Sequence, residues 1–487
     1  MSTKTRERLS SKNKPSTYVH SAIALLFMFC FQFIPAPDPI TPLGMKVAGI
    51  FIGMVYAWVS VDLIWPSILG MLLLGMSGFA SVSDTLKAGL GNDNVLLTFF
   101  MMLITGLLTL SGASRYVAQR LVSVKFARKR PYVLTIMIFV ASAVLGSMMN
   151  GPAAMLVLWS ILYGICDIFG FKKGDKWPML VAIGICLTIN IFNQIFPFKV
   201  LPAAMLGAYG EITNGAGINF MSYFIWMLIT DSVVVGLYLL YMKFIARPDI
   251  SLITNVDLEK ELVEREEITP YQKFVLWFVL VLIILLLVPS ILPESWMFTK
   301  ILTGFGNTGL CALGVTFLVF LNLKQGISLK AMIDTVSWNV IFVMAAAMAL
   351  TNAIKNDGVG IQAYLAQVSE PLFAGKSPFV FACLMVVIVL VITQFCNNLA
   401  TGTVFTPIAY TLAVSCGMEN IPALIAMMIT AAAMALMTPA GGGMPALMHS
   451  NREWIPGKNA VKYSTICVLF VLITLIAIGI PLANLLF

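Results

Sequence analysis

The sequence predicts an all-α membrane protein that crosses the bilayer many times. Of its 487 residues, 59% are hydrophobic and 11% are charged, and the mean hydropathy is +0.93. A soluble domain carries about 25% charged residues, so this composition excludes a cytosolic or secreted globular protein. The apolar stretches are continuous and long enough for membrane helices of about 20 residues, whereas barrel strands alternate over about ten residues. Helices are therefore favoured over a β-barrel.

The helices of this prediction follow the apolar runs in chain order. Runs are predicted at 18–34, 44–59, 61–80, 94–111, 131–149, 152–170, 178–196, 219–242, 271–292, 298–322, 338–354, 378–396, 399–416, 420–437 and 460–486. Basic residues then predict the orientation, because cytoplasmic loops carry an excess of Lys and Arg. With the basic tail 1–17 in the cytoplasm, the clusters at 115–130 and 172–176 lie on the same side.

Two pairs of runs are predicted as re-entrant hairpins. The first pair, 131–170, has a basic cluster on each flank, so it enters from the cytoplasm and returns there. The second pair, 378–416, then enters from the outside. The prediction is eleven crossings plus two hairpins in the cell (inner) membrane, with the N-terminus in the cytoplasm. Six of the 30 basic residues fall away from the cytoplasmic side, namely Lys46, Lys87, Lys199, Lys300, Lys355 and Lys376.

The two halves of the chain repeat the same order of features. The segment from Asn94 resembles the one from Asn339, and an amphipathic stretch and a hairpin follow each of them. Each hairpin precedes an apolar run that is broken by a proline, Pro197 in the first half and Pro439 in the second. Because the hairpins point in opposite directions, the repeats are inverted. Inverted repeats with discontinuous helices are typical of secondary transporters.

The hairpin tips carry the polar residues that suggest a binding site. Asn150 precedes Gly151 and a proline, a pattern that predicts a helix N-cap, and Asn397 and Asn398 occupy the same place in the second tip. Thr401 follows in the first turn of the next helix. Two helix N-termini aimed at one cavity would suit a small anion with carboxylates at both ends. The alternative is that these asparagines only cap their helices.

These features resemble the divalent anion/sodium symporter (DASS) family, the di- and tricarboxylate carriers of the ion transporter superfamily. The resemblance covers nearly the whole chain from about residue 18. It implies an elevator-type homodimer in which a transport domain holding both hairpins moves against a scaffold. The implied organisation is a tail at 1–17, repeat 1 at 18–250 (scaffold 18–125, transport 131–246), a cytoplasmic acidic linker at 251–270, and repeat 2 at 271–487 (scaffold 271–370, transport 378–487).

The resemblance also implies site residues, because each tip in that family carries a Ser-Asn-Thr motif that binds substrate carboxylate and helps to form a sodium site. Asn150 and Asn398 match the motif's asparagine, whereas the flanking positions differ from it. The predicted substrate-binding residues are Asn150, Gly151, Lys199, Asn397, Asn398, Thr401, Thr438 and Pro439. A sodium ion, as coupling ion, is predicted near Asn398 and Ala440; no cofactor is expected.

Lys199 in the first break departs from the family pattern and admits two interpretations. It could extend to the outer surface from a helix that ends early. It could instead stand where the family places a sodium ion and neutralise a substrate carboxylate directly. A fixed charge of this kind needs no sodium, so transport would run by anion exchange or with protons.

The predicted function is secondary active transport of a small di- or tricarboxylate anion, by symport or exchange. The alternatives are an inorganic-anion carrier (sulfate or arsenite), an ion antiporter of the same superfamily, or a membrane-embedded enzyme. The sequence shows no nucleophile–base pair, metal cluster or nucleotide loop, so an enzyme is not expected. The expected partners are the lipid bilayer and a second copy of the chain, and no nucleic acid. Asp231 and Asp62 are lesser candidates, as intramembrane acids.

Overall fold

The computed structural model describes residues 15–122, 130–255, 267–293, 295–322, 325–373 and 377–487, and these residues form helices joined by short turns. The first half contains α1 (Pro15–Cys30), α2 (Pro42–Ser60), α3 (Ile64–Met76), α4 (Val82–Leu90), α5 (Asp93–Leu110), α6 (Ala113–Val122), α7 (Pro131–Met148), α8 (Gly151–Phe169), α9 (Lys176–Phe192), α10 (Val200–Ile212) and α11 (Phe220–Leu240). Most of the predicted tail, and parts of the 115–130 cluster and of the acidic linker, lie outside the described residues.

The second half contains α12 (Ser251–Asn255), α13 (Pro270–Leu287), α14 (Met297–Asn322), α15 (Leu329–Ile333), α16 (Trp338–Lys355), α17 (Ile361–Phe373), α18 (Pro378–Ile392), α19 (Asn398–Ser415), α20 (Ile421–Ala433), α21 (Gly443–Ser450), α22 (Gly457–Thr474) and α23 (Ile480–Leu486). Two π-helical turns, Tyr241–Ala246 and Leu475–Gly479, continue α11 and α22. From α5 to α11 and from α16 to α22 the order is the same: a long helix, a shorter one, a hairpin, a broken helix and another long helix.

Ten helices of the described residues are long and apolar enough to cross a membrane. The all-α polytopic class is therefore confirmed, while the eleven crossings, the orientation and the elevator motion remain predictions. One predicted run is shorter as a helix than the sequence suggested. The helix in the run 61–80 ends at Met76, because Gly78 has a φ of +95° and turns the chain before α4 begins.

The first parts of the two broken helices, α9 and α20, lie at the centre of the bundle. Every residue of α9 from Trp177 to Phe192 is buried, as are nearly all residues of α20. Both are apolar on all faces, the composition of a helix surrounded by other helices. By contrast, α13 and α14 expose large apolar side chains such as Trp277 (65% exposed) and Phe320 (69%), as lipid-facing helices do.

Candidate functional site

The first hairpin tip joins α7 to α8 through Met149 and Asn150. Asn150 has the extended backbone of an N-cap, but its exposed side chain makes no capping hydrogen bond. The capping alternative is therefore wrong for this residue. The first N–H groups of α8 lack the side-chain acceptor that an N-cap usually supplies, and they carry the positive end of the helix dipole.

The first break, residues 193–199, places a buried lysine side chain against this tip. Lys199 is 7% exposed and its Nζ donates a hydrogen bond to the carbonyl of Met149 at 3.0 Å. The interpretation that Lys199 extends to the outer surface is therefore wrong. An ammonium has three donors, so this bond leaves two for a substrate carboxylate. The ammonium and the N-terminus of α8 together make the first tip electropositive.

The second tip is built differently, because the side-chain oxygens of its asparagines accept hydrogen bonds from the backbone. Asn397 Oδ1 accepts from the N–H groups of Leu399 (3.0 Å) and Ala400 (3.2 Å), so Asn397 caps α19 as predicted. Asn398 Oδ1 accepts from Leu399 at 2.8 Å. Thr401 is 4% exposed, and its hydroxyl has no partner among the residues that the structure describes. The second tip thus offers amide and hydroxyl groups without a charge.

The second break, residues 434–442, is held to its own tip by Gln394. Gln394 Oε1 accepts from the N–H groups of Leu436 and Met437, and its Nε2 donates to the carbonyl of Met434 at 2.7 Å. Thr438 Oγ1 donates in turn to the Gln394 carbonyl. Backbone that leaves a helix inside a membrane needs such partners, because no water satisfies it there.

The second break lies between the two tips. A Cβ added at Gly442 would lie 3.6 Å from Asn398 Oδ1, and one at Gly443 would lie 3.4 Å from Pro152 Cγ. The structure therefore brings Asn398 and the start of α8 together on either side of this break. Pro439 and Ala440 are exposed at the same break, and the Ala440 N–H bonds Thr438. The sodium position near Asn398 and Ala440 stays a prediction.

Each hairpin also packs against the broken helix of the opposite half. At the start of α8, Gly151 packs against the side chain of Met444 on α21 so closely that a Cβ would clash with its sulfur. In the second half, a Cβ at Gly402 on α19 would lie 2.6 Å from Met205 Sδ on α10. The two halves thus interlock by equivalent glycine–methionine contacts.

Sequence reasoning missed the polar residues that close the broken helix ends. Asn190 Nδ2 donates to the Ala433 carbonyl at 2.5 Å, and Thr393 Oγ1 donates to the Ala432 carbonyl at 2.7 Å. Together with Gln394 they satisfy carbonyls that the end of α20 leaves without a helical partner. Isolated Asn and Gln residues at the ends of apolar runs were the available signal.

A cavity of about 840 Å³ reaches the first break at Pro197. Its walls come from α4, α5, α10 and α16, and they include Lys87 and Lys355. Glu211 closes one side, where its carboxylate accepts from Asn92 Nδ2 at 2.7 Å and its carbonyl accepts from Lys355 Nζ at 2.6 Å. The cavity lies beside α10, which also packs directly against α5, as at Gly207 against Asn94.

The two acidic candidates have different positions. Asp62 is partly buried and its Oδ1 accepts from the N–H of Ile64 at 2.7 Å, so it caps the start of α3. Asp231 is fully buried within α11, between Tyr223 and Tyr238.

Known proteins resemble this chain over most of its length. A family model of citrate transporters matches residues 46–432. A protein named sodium-dependent dicarboxylate transporter SdcS, from Staphylococcus saprophyticus, is 25% identical over 467 residues, which cover 90% of this chain and 84% of the relative.

Two solved transporters share the fold. The YdaH transporter of Alcanivorax borkumensis has a TM-score of 0.62 and 14% identity, with 96% of this chain and 98% of that one covered. MtrF of Neisseria gonorrhoeae has a TM-score of 0.58 and 16% identity, with 95% and 94% covered. At these identities the likeness concerns the fold alone, and it supports the predicted all-α polytopic architecture.

Proposed function

Because the chain belongs to the citrate transporter family, we propose that it is a secondary carrier of small di- or tricarboxylate anions. The name of the dicarboxylate transporter SdcS supports this substrate class. The single observation that carries the proposal is the buried Lys199 amino group beside the uncapped start of α8. The first residues of α8 lie in turn against the second break. Burying an ammonium away from water costs free energy, and a bound anionic substrate would offset this cost.

The two tips take different parts in binding. One substrate carboxylate lies at the first tip, where Lys199, Asn150 and the N–H of Gly151 donate to it. The second carboxylate lies at the second tip, near Asn398 and Thr401. Asn397 and Thr438 brace that end, since Asn397 Oδ1 accepts from the start of α19 and the Thr438 hydroxyl donates to the Gln394 carbonyl. The Nδ2 group of Asn397 remains a donor for the substrate, and Pro439 shapes the break.

The fixed charge of Lys199 replaces the sodium ion that the DASS resemblance implies at the first tip. We therefore expect carboxylate exchange, or uptake with another cation, to continue without sodium. A sodium ion near Asn398 and Ala440 would instead make uptake strictly sodium-dependent, as the name of SdcS states for that protein.

The access route and the assembly follow from the same resemblance. The cavity at Pro197 is the route to the first break from one side of the membrane. Movement of α10 and both hairpins against α4, α5 and α16 would open and close it, in an elevator motion of a homodimer. The Glu211 contacts to Asn92 and Lys355 would then break in every cycle.

Uptake by proteoliposomes that hold the purified protein tests the function. Vesicles preloaded with succinate, citrate or sulfate are given the labelled anion in sodium or choline buffer. We expect counterflow of succinate or citrate in both buffers. Counterflow of sulfate alone would favour the inorganic-anion carrier, and transport of none of the three would overturn the proposal. Strict sodium dependence would overturn the sodium replacement by Lys199 and leave the carrier function standing.

Cysteine labelling tests the proposed orientation. A cysteine at Lys173, just after α8, and one at Lys129, which lies outside the described residues, should both react from the cytoplasmic side only, in a background without reactive native cysteines. Labelling of one from each side would show that 131–170 crosses the membrane, and the inverted repeat would be wrong.

A further inference from the structure

Asp231 lies in the middle of the buried face of α11. It is 0% exposed, and the same face buries Tyr223, Met227, Val234 and Tyr238. Among the residues that the structure describes, neither carboxylate oxygen of Asp231 has a hydrogen-bond partner. A buried polar group without a partner is rare in folded proteins, and an acid in this position calls for a function.

The helix α9 presents a second unpartnered oxygen at the same level. Tyr238 Oη donates to the Leu180 carbonyl at 2.8 Å, and Tyr223 Oη donates to the Gln194 carbonyl at 2.7 Å, so α11 runs antiparallel to α9. Asp231 is midway between the two tyrosines, and it is therefore level with the residues just before Thr188. The buried Thr188 hydroxyl is also without a partner in the described part of the chain.

The helix α22 carries a third unpartnered oxygen, the hydroxyl of Thr474. Trp226 Nε1 donates to the Gly479 carbonyl at 2.9 Å, and the ring of Tyr241 lies 5.9 Å from that of Phe470. These contacts place Asp231 level with the start of the π-helical turn Leu475–Gly479, which directly follows Thr474. The Thr474 hydroxyl is buried, and within the described ranges it too has no partner. Three packed helices thus carry unpartnered oxygens at about the same depth of the core.

No basic side chain of the neighbouring helices lies at this level. The lysines of the packed elements stand at helix ends: Lys176 at the start of α9, Lys243 beyond α11, and Lys458 and Lys462 at the start of α22. The other titratable groups on these elements are uncharged at neutral pH when unperturbed: Cys186 on α9, Tyr223, Tyr238 and Tyr241 on α11 and its extension, and Tyr463 and Cys467 on α22. The helices α20 and α23 carry none.

An ionised carboxylate without a counter-charge is strongly disfavoured in such surroundings. The neutral acid is the form that this core accommodates.

We propose that Asp231 binds the proton that drives carboxylate uptake. The proposal rests on the carrier function above and names its coupling ion. The carboxyl group takes a proton from water on one side of the membrane and returns the same proton to water on the other, so no further reactant is needed. Tyr223 links this helix to Gln194 in the first break, five residues before Lys199. Protonation of Asp231 is thereby linked through α11 to the first break, which contains Lys199.

The test compares Asp231→Asn with the parent in sodium-free proteoliposomes. The asparagine has the shape of the protonated acid and cannot release a proton. A gradient of one pH unit, acidic outside, supports about tenfold accumulation of the substrate for each coupled proton when the membrane potential is clamped. We expect the parent to accumulate labelled succinate and to acidify a dye trapped in the vesicle. The Asp231→Asn variant should keep succinate counterflow and lose both gradient effects.

A matched control is Asp62→Asn, which makes the same substitution at an acid that caps α3 and should accumulate succinate like the parent. Accumulation by Asp231→Asn at the parental level would overturn the proposal. So would a parent that exchanges succinate but responds to no pH gradient, a result that is obtained even if the variant fails to fold. A parent without counterflow of any carboxylate would be the failure of the carrier function itself.

Discussion

The two tips of the molecule are held to their breaks by the same kind of bond but by different chemistry. In the first half, the ammonium of Lys199 donates to the carbonyl of Met149 at 3.0 Å. In the second half, the hydroxyl of Thr438 donates to the carbonyl of Gln394. In both halves a side chain from the break supports the backbone at the tip. The charge is present in one half and absent from the other.

The difference shows what the two repeats must share and what they need not share. Both halves need a hydrogen-bond donor for the backbone of the tip, but only one half needs that donor to be charged. Irregular backbone inside the bilayer needs a donor in each half, and either an ammonium or a hydroxyl supplies one. The asymmetry extends to the asparagines, since Asn397 caps α19 whereas Asn150 caps nothing. The positive charge is therefore found at the first tip alone, whereas the second tip combines support of the backbone with uncharged amide and hydroxyl groups.

Removing the charge at the first tip should have the largest effect. Hydrogen bonds to charged groups are worth about 1.5–3 kcal/mol each, so Lys199→Met should weaken the apparent substrate affinity by roughly tenfold to a hundredfold or more. Lys199→Gln retains a donor for Met149 without the charge and should be nearly as defective. Thr438→Val, the matched change in the second half, should cost less in affinity. Initial uptake rates over a range of substrate concentrations measure these effects. Equal losses in both halves would contradict the asymmetry.

The asparagines sharpen the comparison. Asn150→Ala should weaken substrate affinity by roughly tenfold while leaving the melting temperature unchanged, because the side chain supports no backbone. Asn398→Ala should weaken affinity by a similar factor. Asn397→Ala should chiefly lower stability, by about 1 kcal/mol for a lost cap. Transport kinetics and thermal unfolding of the three variants separate the two roles. Unchanged kinetics in both Asn150→Ala and Asn398→Ala would leave the tips as structural turns.

The interlocking glycines should give intermediate effects on stability. Gly402→Ala overpacks the contact with Met205 and Leu201, and such insertions cost about 1–3 kcal/mol. Gly151→Ala, against Met444, should cost a comparable amount. Gly164→Ala on the exposed face of α8 is the control, because a Cβ there meets nothing within 4 Å and alanine favours the helix. Thermal unfolding in detergent measures the series. A Gly164→Ala variant as unstable as the other two would argue against the interlock.

The smallest effect is expected at a surface contact between the halves. Lys173, after α8, lies 2.5 Å from the carboxylate of Glu453, in the loop before α22. The hydrogen bond from Lys173 lowers the pKa of Glu453, so the contact stabilises the fold at neutral pH and is lost as the pH falls through that lowered pKa. Both side chains are exposed, and water and salt screen their attraction. Lys173→Ala should therefore change the melting temperature little at neutral pH and not at all in acid. A large change at neutral pH would show that this contact, rather than the buried ones, joins the halves.

The sequence alone determined the features that depend on local chemistry. Long apolar runs can only be helices in a bilayer, since a helix satisfies its own backbone. Pro197 and Pro439 predicted the breaks because proline lacks the N–H that a continuous helix needs. Asn397 was predicted as a cap from its place before α19. The prediction for Asn150 used the same reasoning and was wrong about its side chain, because the rotamer depends on what surrounds the tip.

Tertiary structure decided which distant groups meet. Asn190 bonds the carbonyl of Ala433 across 243 residues of sequence, and Gly402 packs on Met205 in the other half. No local or periodic pattern in the sequence predicts either contact, because each depends on the angle at which two buried helices cross. The burial of Asp231 has the same origin. Its helix is apolar on most faces, so the sequence could not tell which face meets lipid, and only the packing of α9 and α22 around α11 placed the carboxyl in the core.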